Sequence, residues 1–230
     1  MNMLDLRPVF FIVGLMVSAL GIAMFIPMIV DLIYNDNSWR AFGISGILTA
    51  LFGASLALAT YTPNPNMRAR EAFLLTVLSW VSLSIFSAVP FIMEPLKLSI
   101  TDALFEATSG ITTTGSTVLL GLDDMPKGIL MWRSILQWIG GIGIVVTAMA
   151  VLPMLKIGGM QLFRLESSDM GEKILPKAAS LAAGISGIYF TLTVLFMFGY
   201  IATGMNTFDA ISHAMTTLAT GGFSTSDTSM

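Results

Sequence analysis

The chain has 230 residues, of which 55% are hydrophobic and only 11% charged, with a formal net charge of −3. Soluble domains carry about 25% charged residues, so this balance excludes an ordinary soluble protein, and the absence of a basic surplus excludes a nucleic-acid binder. Cysteine is absent and His213 is the single histidine, which excludes disulfide frameworks, thiolate metal sites and zinc sites built on several His or Cys.

The first apolar run, from Val9 to Val30, is too long for a signal-peptide core and no Ala-x-Ala site follows it. It predicts a membrane helix over 9–34, with Pro8 in its first turn and Pro27 as a late kink point. Gly14, Ser18 and Gly21 point either to a close helix contact or to the general glycine enrichment of membrane helices. A polar turn at 35–38 leads into a second helix over 39–60, bracketed by Trp39 and Tyr61 as interfacial aromatics often bracket a span. Pro63-Asn64-Pro65-Asn66 breaks the chain. A third helix is expected over 71–91, closed by Pro90 and Pro95. The segment 101–111 is too short to span a bilayer and reads as re-entrant, capped by Ser99 or Thr101, with Asp102 complementing the helix dipole. A helix over 128–155 carries Gly140, Gly141 and Gly143, read as sites of close packing or bending; with no strand before them they are not a dinucleotide fingerprint. The longest hydrophilic connection is 156–177. A helix over 178–202 follows, then a second short helix over 207–218.

The most informative feature is a repeat. Thr108-Ser109-Gly110-Ile111-Thr112-Thr113-Thr114-Gly115-Ser116-Thr117 ends the first short helix, and a related run follows the second at an interval of 107 positions. Asp102 pairs with Asp209, Ala107 with Ala214, Thr113 with Thr220, and Gly115 with Gly222. Non-helical backbone at membrane depth is tolerated only where it lines a cavity or is buried in protein. Backbone carbonyls assisted by threonine hydroxyls replace the water shell of an alkali cation without a fixed charge, so that the ion binds and still leaves. Glycine at 115 and 222 permits φ values that strain other residues.

Arg7, Arg68, Arg70, Lys156, Arg164, Lys173 and Lys177 fall on one side of the predicted spans, and Arg40, Lys97, Lys127 and Arg133 on or near the other. The first side is expected to be cytoplasmic, with the N-terminus inside and both short helices dipping in from outside. Asp31, Asp36, Asp123 and Asp124 fall near the outer side, as cation attractors or as a solvated loop. Asp102 and Asp209 share a capping role. Glu106 either shapes the field of a pore or packs and hydrogen-bonds behind the Thr/Gly run. Its counterpart His213 lacks the partnered nucleophile a hydrolase needs. Arg133 is expected to snorkel outward or to pair near the outer surface. The 17 methionines are scattered rather than paired and read as apolar filling.

These runs, with Trp132-Arg133-Ser134-Ile135-Leu136-Gln137-Trp138-Ile139-Gly140-Gly141-Ile142-Gly143, resemble the TrkH/TrkG/KtrB family of bacterial potassium-uptake membrane subunits, in its TrkH/TrkG branch. The resemblance implies an all-α polytopic membrane protein of helix–pore helix–filter loop–helix repeats, like a potassium channel, preceded by an extra helical hairpin. It implies a hairpin over 1–62, a first pore repeat over 63–155 (helix 71–91, pore helix 101–111, filter 112–116, helix 128–155), a cytoplasmic loop over 156–177, and an incomplete second repeat over 178–230 (helix 178–202, pore helix 207–218, filter 219–224). Carbonyls of Thr113, Thr114, Gly115, Thr220, Gly221 and Gly222 would bind potassium, with Thr112 and Ala219 as further candidates. No cofactor and no enzymatic activity are implied; potassium is the transported substrate. The implied function is potassium uptake across the bacterial inner membrane as the pore-forming subunit of a Trk-type system. Sodium or mixed sodium–potassium transport through the same architecture, or secondary transport of an organic solute, are the alternatives. The implied partners are a second copy of the full-length protein, a cytoplasmic nucleotide-binding regulatory subunit of TrkA type, and membrane lipid. The chain corresponds to the N-terminal half of such a protein and is expected to be a fragment that conducts nothing alone. Substitutions at Gly140 or Gly141 are expected to act mainly through packing and folding, with selectivity kept in the protein that survives.

Overall fold

A computed structural model describes residues 5–63, 67, 69–93, 95–155 and 174–228, with side chains described throughout except at 69, 146–155 and 174–182. The helices are α1 (Arg7–Ala23), α2 (Phe25–Tyr34), α3 (Trp39–Ala59), α4 (Ala69–Ile92), α5 (Ile100–Ile111), α6 (Lys127–Leu155), α7 (Ile174–Ala202) and α8 (Thr207–Leu218), with a 3-10 turn over Leu122–Asp124 before α6. Among the described residues, five stretches are long and apolar enough to cross a membrane: Arg7–Tyr34, Trp39–Ala59, Arg70–Ile92, Lys127–Val145 and Ala183–Ala202. The chain is therefore an all-α, multi-pass membrane protein. The hydrophilic connection expected over 156–177 lies, up to residue 173, outside the described residues.

The first span is divided at Met24, between α1 and α2. Pro27 has no N–H for the carbonyl of Ala23, four residues back, so the ladder loses a bond at the division. Proline acts differently in α4. Pro90 was expected to close that helix, but it lies inside it and the helix runs on to Ile92.

α1 and α3 pack at nearly backbone distance. A Cβ on Gly14 would stand 2.8 Å from the Gly53 carbonyl oxygen, and one on Gly21 2.8 Å from that of Gly46. Conversely, a Cβ on Gly53 would meet the Gly14 carbonyl at 2.6 Å. Ser18, between the two glycines of α1, donates its hydroxyl to the Ala50 carbonyl at 3.3 Å. Small residues on matched faces let two membrane helices gain dispersion contacts along their backbones. The close-contact reading of Gly14, Ser18 and Gly21 is the one realised.

The hairpin is joined to the rest through carboxylates. Asp31 is fully buried, accepts the Gly128 N–H at 2.5 Å, and takes the Ser38 hydroxyl on its other oxygen at 2.5 Å. Asp36 accepts the Lys127 N–H at 2.8 Å. These are orphan donors of the first turn of α6, and two acidic groups there also complement its dipole. Gly128 leaves the space, since a Cβ would collide with the Asp31 carboxylate. Asp31 and Asp36 thus cap a helix, in place of the cation-attracting or solvated roles expected from sequence.

The main core gathers around the first half of α6. Ile129, Leu130, Trp132, Ile135 and Leu136 are buried against Phe42 of α3, Phe91 of α4, and Ala103, Ala107 and Ile111 of α5. Trp132 meets Phe42 edge-on with centroids 6.1 Å apart, and its indole N–H donates to the Ser87 carbonyl at 3.1 Å. α7 is the opposite case. Only 6% of its spanning window is buried, and Ile188, Phe190, Leu195 and Phe198 are exposed.

Two substitutions test this account. Gly53→Leu should destabilise the purified protein by about 1–3 kcal/mol, the range for overpacking, whereas Leu51→Ala, at an exposed position of the same helix, should be close to neutral. Asp31→Asn should cost about 1–3 kcal/mol, because its amide N–H would face a donor where the carboxylate accepts. Thermal unfolding in detergent reads both; equal melting temperatures for Gly53→Leu and parent would contradict the close α1–α3 contact.

Candidate functional site

The two short helices are built alike. α5 is capped by Ser99, whose side chain accepts the Asp102 N–H at 3.1 Å, and α8 by Asn206, which accepts the Asp209 N–H at 2.9 Å. The cap on α5 is Ser99; Thr101 lies within the helix. Thr225 adds a bond at α8, its hydroxyl donating to Asp209 at 2.7 Å.

Beyond each helix the backbone repeats the same conformation. In the first run φ is positive at Thr113 (56°) and Gly115 (80°), and in the second at Thr220 (53°) and Gly222 (79°). Between them, Thr114 and Gly221 stay out of the positive-φ region, so the handedness alternates residue by residue. The amides point back at the helix ends. Thr113 N–H donates to the Gly110 carbonyl (3.0 Å) and Thr114 N–H to Ser109 (2.9 Å); Thr220 N–H donates to Thr217 (2.9 Å) and Gly221 N–H to Thr216 (2.9 Å). In a trans peptide the C=O points opposite to the N–H it shares a plane with. The carbonyls of Thr112, Thr113, Ala219 and Thr220 therefore face away from the short helices. Among the described residues no hydrogen bond ends on these four oxygens.

The runs also meet. A Cβ on Gly115 would collide with the Gly221 carbonyl oxygen, so Gly115 is required both by its φ and by the approach of the second run. A Cβ on Gly222 would have nothing within 4 Å, so there the requirement is conformational alone. Thr112 closes α5 with its hydroxyl on the Thr108 carbonyl (2.7 Å) and lies 2.8 Å from the Thr114 hydroxyl. Ala219 is buried at the end of α8.

α6 lies behind both runs. Gly140 abuts the Ile111 carbonyl, and Gly141 abuts Ala219 and the Tyr189 hydroxyl. Close packing is thus the role these glycines show, each at the point where α6 touches the start of one run. Gln137 is fully buried and accepts the Phe223 N–H on Oε1 at 3.1 Å, with its amide plane filling the space a Cβ on Gly221 would need.

Arg133 does not reach an outer surface. It is 1% exposed, and its Nε donates to Glu106 Oε1 at 2.8 Å, with Glu106 fully buried. Its Nη1 donates to the Ser224 carbonyl (2.9 Å), its Nη2 to the Thr117 hydroxyl (3.2 Å), and its guanidinium lies 4.1 Å over the Phe223 ring. Glu106 also accepts the Thr117 hydroxyl (2.9 Å) and the Val118 N–H (3.1 Å). At the equivalent place in the second run, His213 Nε2 is 3.3 Å from the Ser224 hydroxyl and its Nδ1 2.9 Å from the Asp209 carbonyl. Glu106 with Thr117 and His213 with Ser224 are the same pairing, one repeat interval apart. Of the two roles open to Glu106, hydrogen bonding behind the run is the one its contacts display. Gln137, Ser224 and Asp227 were not singled out from sequence. Asp227 takes the Gly121 and Leu122 N–H groups, each at 3.1 Å, and so ties the second run to the turn after the first. Ser224 was within reach, since extending the repeat by two residues aligns it with Thr117.

Among the described residues no group of three or more His, Cys, Asp or Glu is placed to hold a metal ion.

The chain matches known proteins over nearly its whole length. The chain is 42% identical over 223 residues to the Trk system potassium uptake protein TrkI of Halomonas elongata, covering 96% of the chain and 45% of that protein. It is 44% identical over 222 residues to the Trk system potassium uptake protein TrkH of Escherichia coli, covering 95% and 46%. The crystal structure of the potassium transporter TrkH from Vibrio parahaemolyticus superposes with a TM-score of 0.87 at 37% identity, over 97% of this chain and 45% of that one. The chain thus spans a little under half the length of the relatives it matches. Residues 38–230 match the cation transport protein family TrkH, and with duplicated helix-plus-run units in the positions described, the chain belongs to that family.

Proposed function

We propose that the chain forms half of the ion path of a potassium-uptake transporter of the bacterial inner membrane. The observation that carries this reading is the alternating backbone, identical in sign at equivalent residues of both runs, which turns unbonded carbonyls away from the short helices. Such oxygens replace the hydration shell of a weakly held monovalent cation. In this reading α5 and α8 are pore helices, 112–116 and 219–224 are filter segments, and the carbonyls of Thr113, Thr114, Gly115, Thr220, Gly221 and Gly222 bind the ion, with Thr112 and Ala219 at the inner margin. Potassium is the cargo.

The complete path needs further segments facing these two. The potassium uptake proteins that the chain resembles are about twice its length, which is room for two more such units. The residues 1–62 form the hairpin, 63–155 the first repeat, and 178–230 the opening of a second, joined by the hydrophilic connection 156–177. We further propose that the N-terminus is cytoplasmic, following the bias of Arg and Lys. The complete protein would pair with a second copy and with a TrkA-type nucleotide-binding subunit on the cytoplasmic side, where Lys156, Arg164, Lys173 and Lys177 fall. The isolated chain leaves its carbonyls without an opposing half and should conduct nothing.

Gly115→Ser is expected to weaken discrimination between potassium and sodium by about tenfold, equivalent to about 1.4 kcal/mol, in the complete transporter that carries these residues. A side chain there is opposed by both the positive φ and the Gly221 carbonyl. Thr113→Ala should do less, since its carbonyl survives. Relative potassium and sodium uptake by matched amounts of protein, in cells without other potassium systems, is the measurement. Parental discrimination in Gly115→Ser would count against this ion path. Orientation is tested by Asp124→Cys in this cysteine-free chain: an impermeant thiol reagent should label it from outside the cell, and labelling only from the cytoplasm would reverse the topology.

A further inference from the structure

We propose that Arg133 is a positioning residue for ion discrimination: one buried guanidinium holds the outer ends of both runs at a fixed separation. The inference rests on the ion-path reading above and goes beyond it, because Arg133 contributes no oxygen to an ion.

Three features of the geometry point this way. The guanidinium fork is spread over both repeats. Nε and Nη2 engage Glu106 and Thr117, which belong to the first, while Nη1 engages the Ser224 carbonyl of the second. The plane also lies over Phe223, next to Gly222. Phe223 is held from a second direction by Gln137, one turn further along α6. The residues so held directly follow the alternating segments, so a shift of Ser224 relative to Thr117 is transmitted through a few peptide planes to Gly222 and Gly115. Finally, Glu106–Thr117 and His213–Ser224 are equivalent pairs, and Arg133 bonds members of both, so the brace joins the two units at matched positions. A planar fork with fixed donor directions suits this task, and an ammonium on a flexible stem does not.

A residue needed only for folding and one needed for position give different results. Arg133→Lys keeps the charge beside Glu106 but cannot serve Glu106, Thr117 and Ser224 together. The double variant Glu106→Leu/Arg133→Met replaces the pair by apolar groups of similar volume, a change often neutral or favourable for stability. Both are made in the complete transporter, beside Gly115→Ser, and read by protein abundance, by the half-saturating potassium concentration, and by the ratio of potassium to sodium uptake. The expected result is near-parental abundance in at least the double variant, with the uptake ratio lowered about tenfold in both. Parental ratios in Arg133→Lys and in the double variant, with the ratio lost in Gly115→Ser, would overturn the brace and leave the ion path standing. Parental ratios in all three would overturn the ion path itself. Low abundance in both brace variants with a parental ratio in the surviving protein would assign Arg133 to folding and likewise overturn the proposal.

Discussion

The structure depends on an ion pair placed where ion pairs are expensive. Arg133 and Glu106 are both removed from solvent, and desolvating two charges costs several kcal/mol per ion unless geometry and additional hydrogen bonds offset it. Here they do. Glu106 accepts from Arg133, Thr117 and Val118, while Arg133 donates to Glu106, Thr117 and Ser224 and stacks on Phe223. Removing one partner would leave an uncompensated charge, a loss of about 3–5 kcal/mol. The pair is thus a constraint as much as a stabiliser: the two short helices, the segments after them and α6 can adopt only arrangements that keep every one of those donors and acceptors together.

That constraint works on a backbone with little stability of its own. Thr113 and Thr220 are β-branched residues at positive φ, an unfavourable conformation for such side chains. Each run bonds its amides back to the preceding short helix, which fixes the conformation at one end. α6 fixes it from behind, by glycine contacts at Ile111 and Ala219 and by the Gln137 amide beneath Gly221. Carbonyls left free on one side are held by bonds made on the other. In the proposed ion path such rigidity would fix how many neutral oxygens face a cation and how far they can move.

The spans, the two short helices and the repeat were legible because each leaves a local mark: an apolar run of sufficient length, a run of insufficient length, a matched interval. The close α1–α3 contact was half legible. Gly14, Ser18 and Gly21 carry its spacing, but the matching glycines at 46 and 53 are meaningful only once the helices are side by side. The polar contacts were least legible. Asp31 reads as a loop acid from its neighbours Asn35 and Asp36, and only folding brings it to Gly128, 97 positions away. Arg133 reads as an outward-reaching cation because its compensating acid is 27 positions away on another helix and its second acceptor is a main-chain oxygen 91 positions away. Backbone acceptors carry no residue identity, so no sequence pattern announces them. The Glu106–His213 equivalence hid the common role in the same way: unlike chemistry performs one task, hydrogen bonding to the hydroxyl eleven residues on.

The glycine-lined hairpin has a consequence for how the chain is made. α1 runs on through α2 and a short turn to α3, and α1 and α3 bury their facing surfaces against each other, so they can dock as soon as residue 59 has left the ribosome. Contacts that are local in sequence form early and at little loop-closure cost. The hairpin then carries Asp31 and Asp36 in place before Lys127 and Gly128 are synthesised. When α6 emerges, its first amides meet a preformed acceptor site, which sets the helix's starting point and its rotation about its own axis. Rotation decides which way Arg133, Gln137, Gly140 and Gly141 face. On this view the hairpin serves the nascent chain as an assembly jig, and its two aspartates are the stops against which the central helix is aligned.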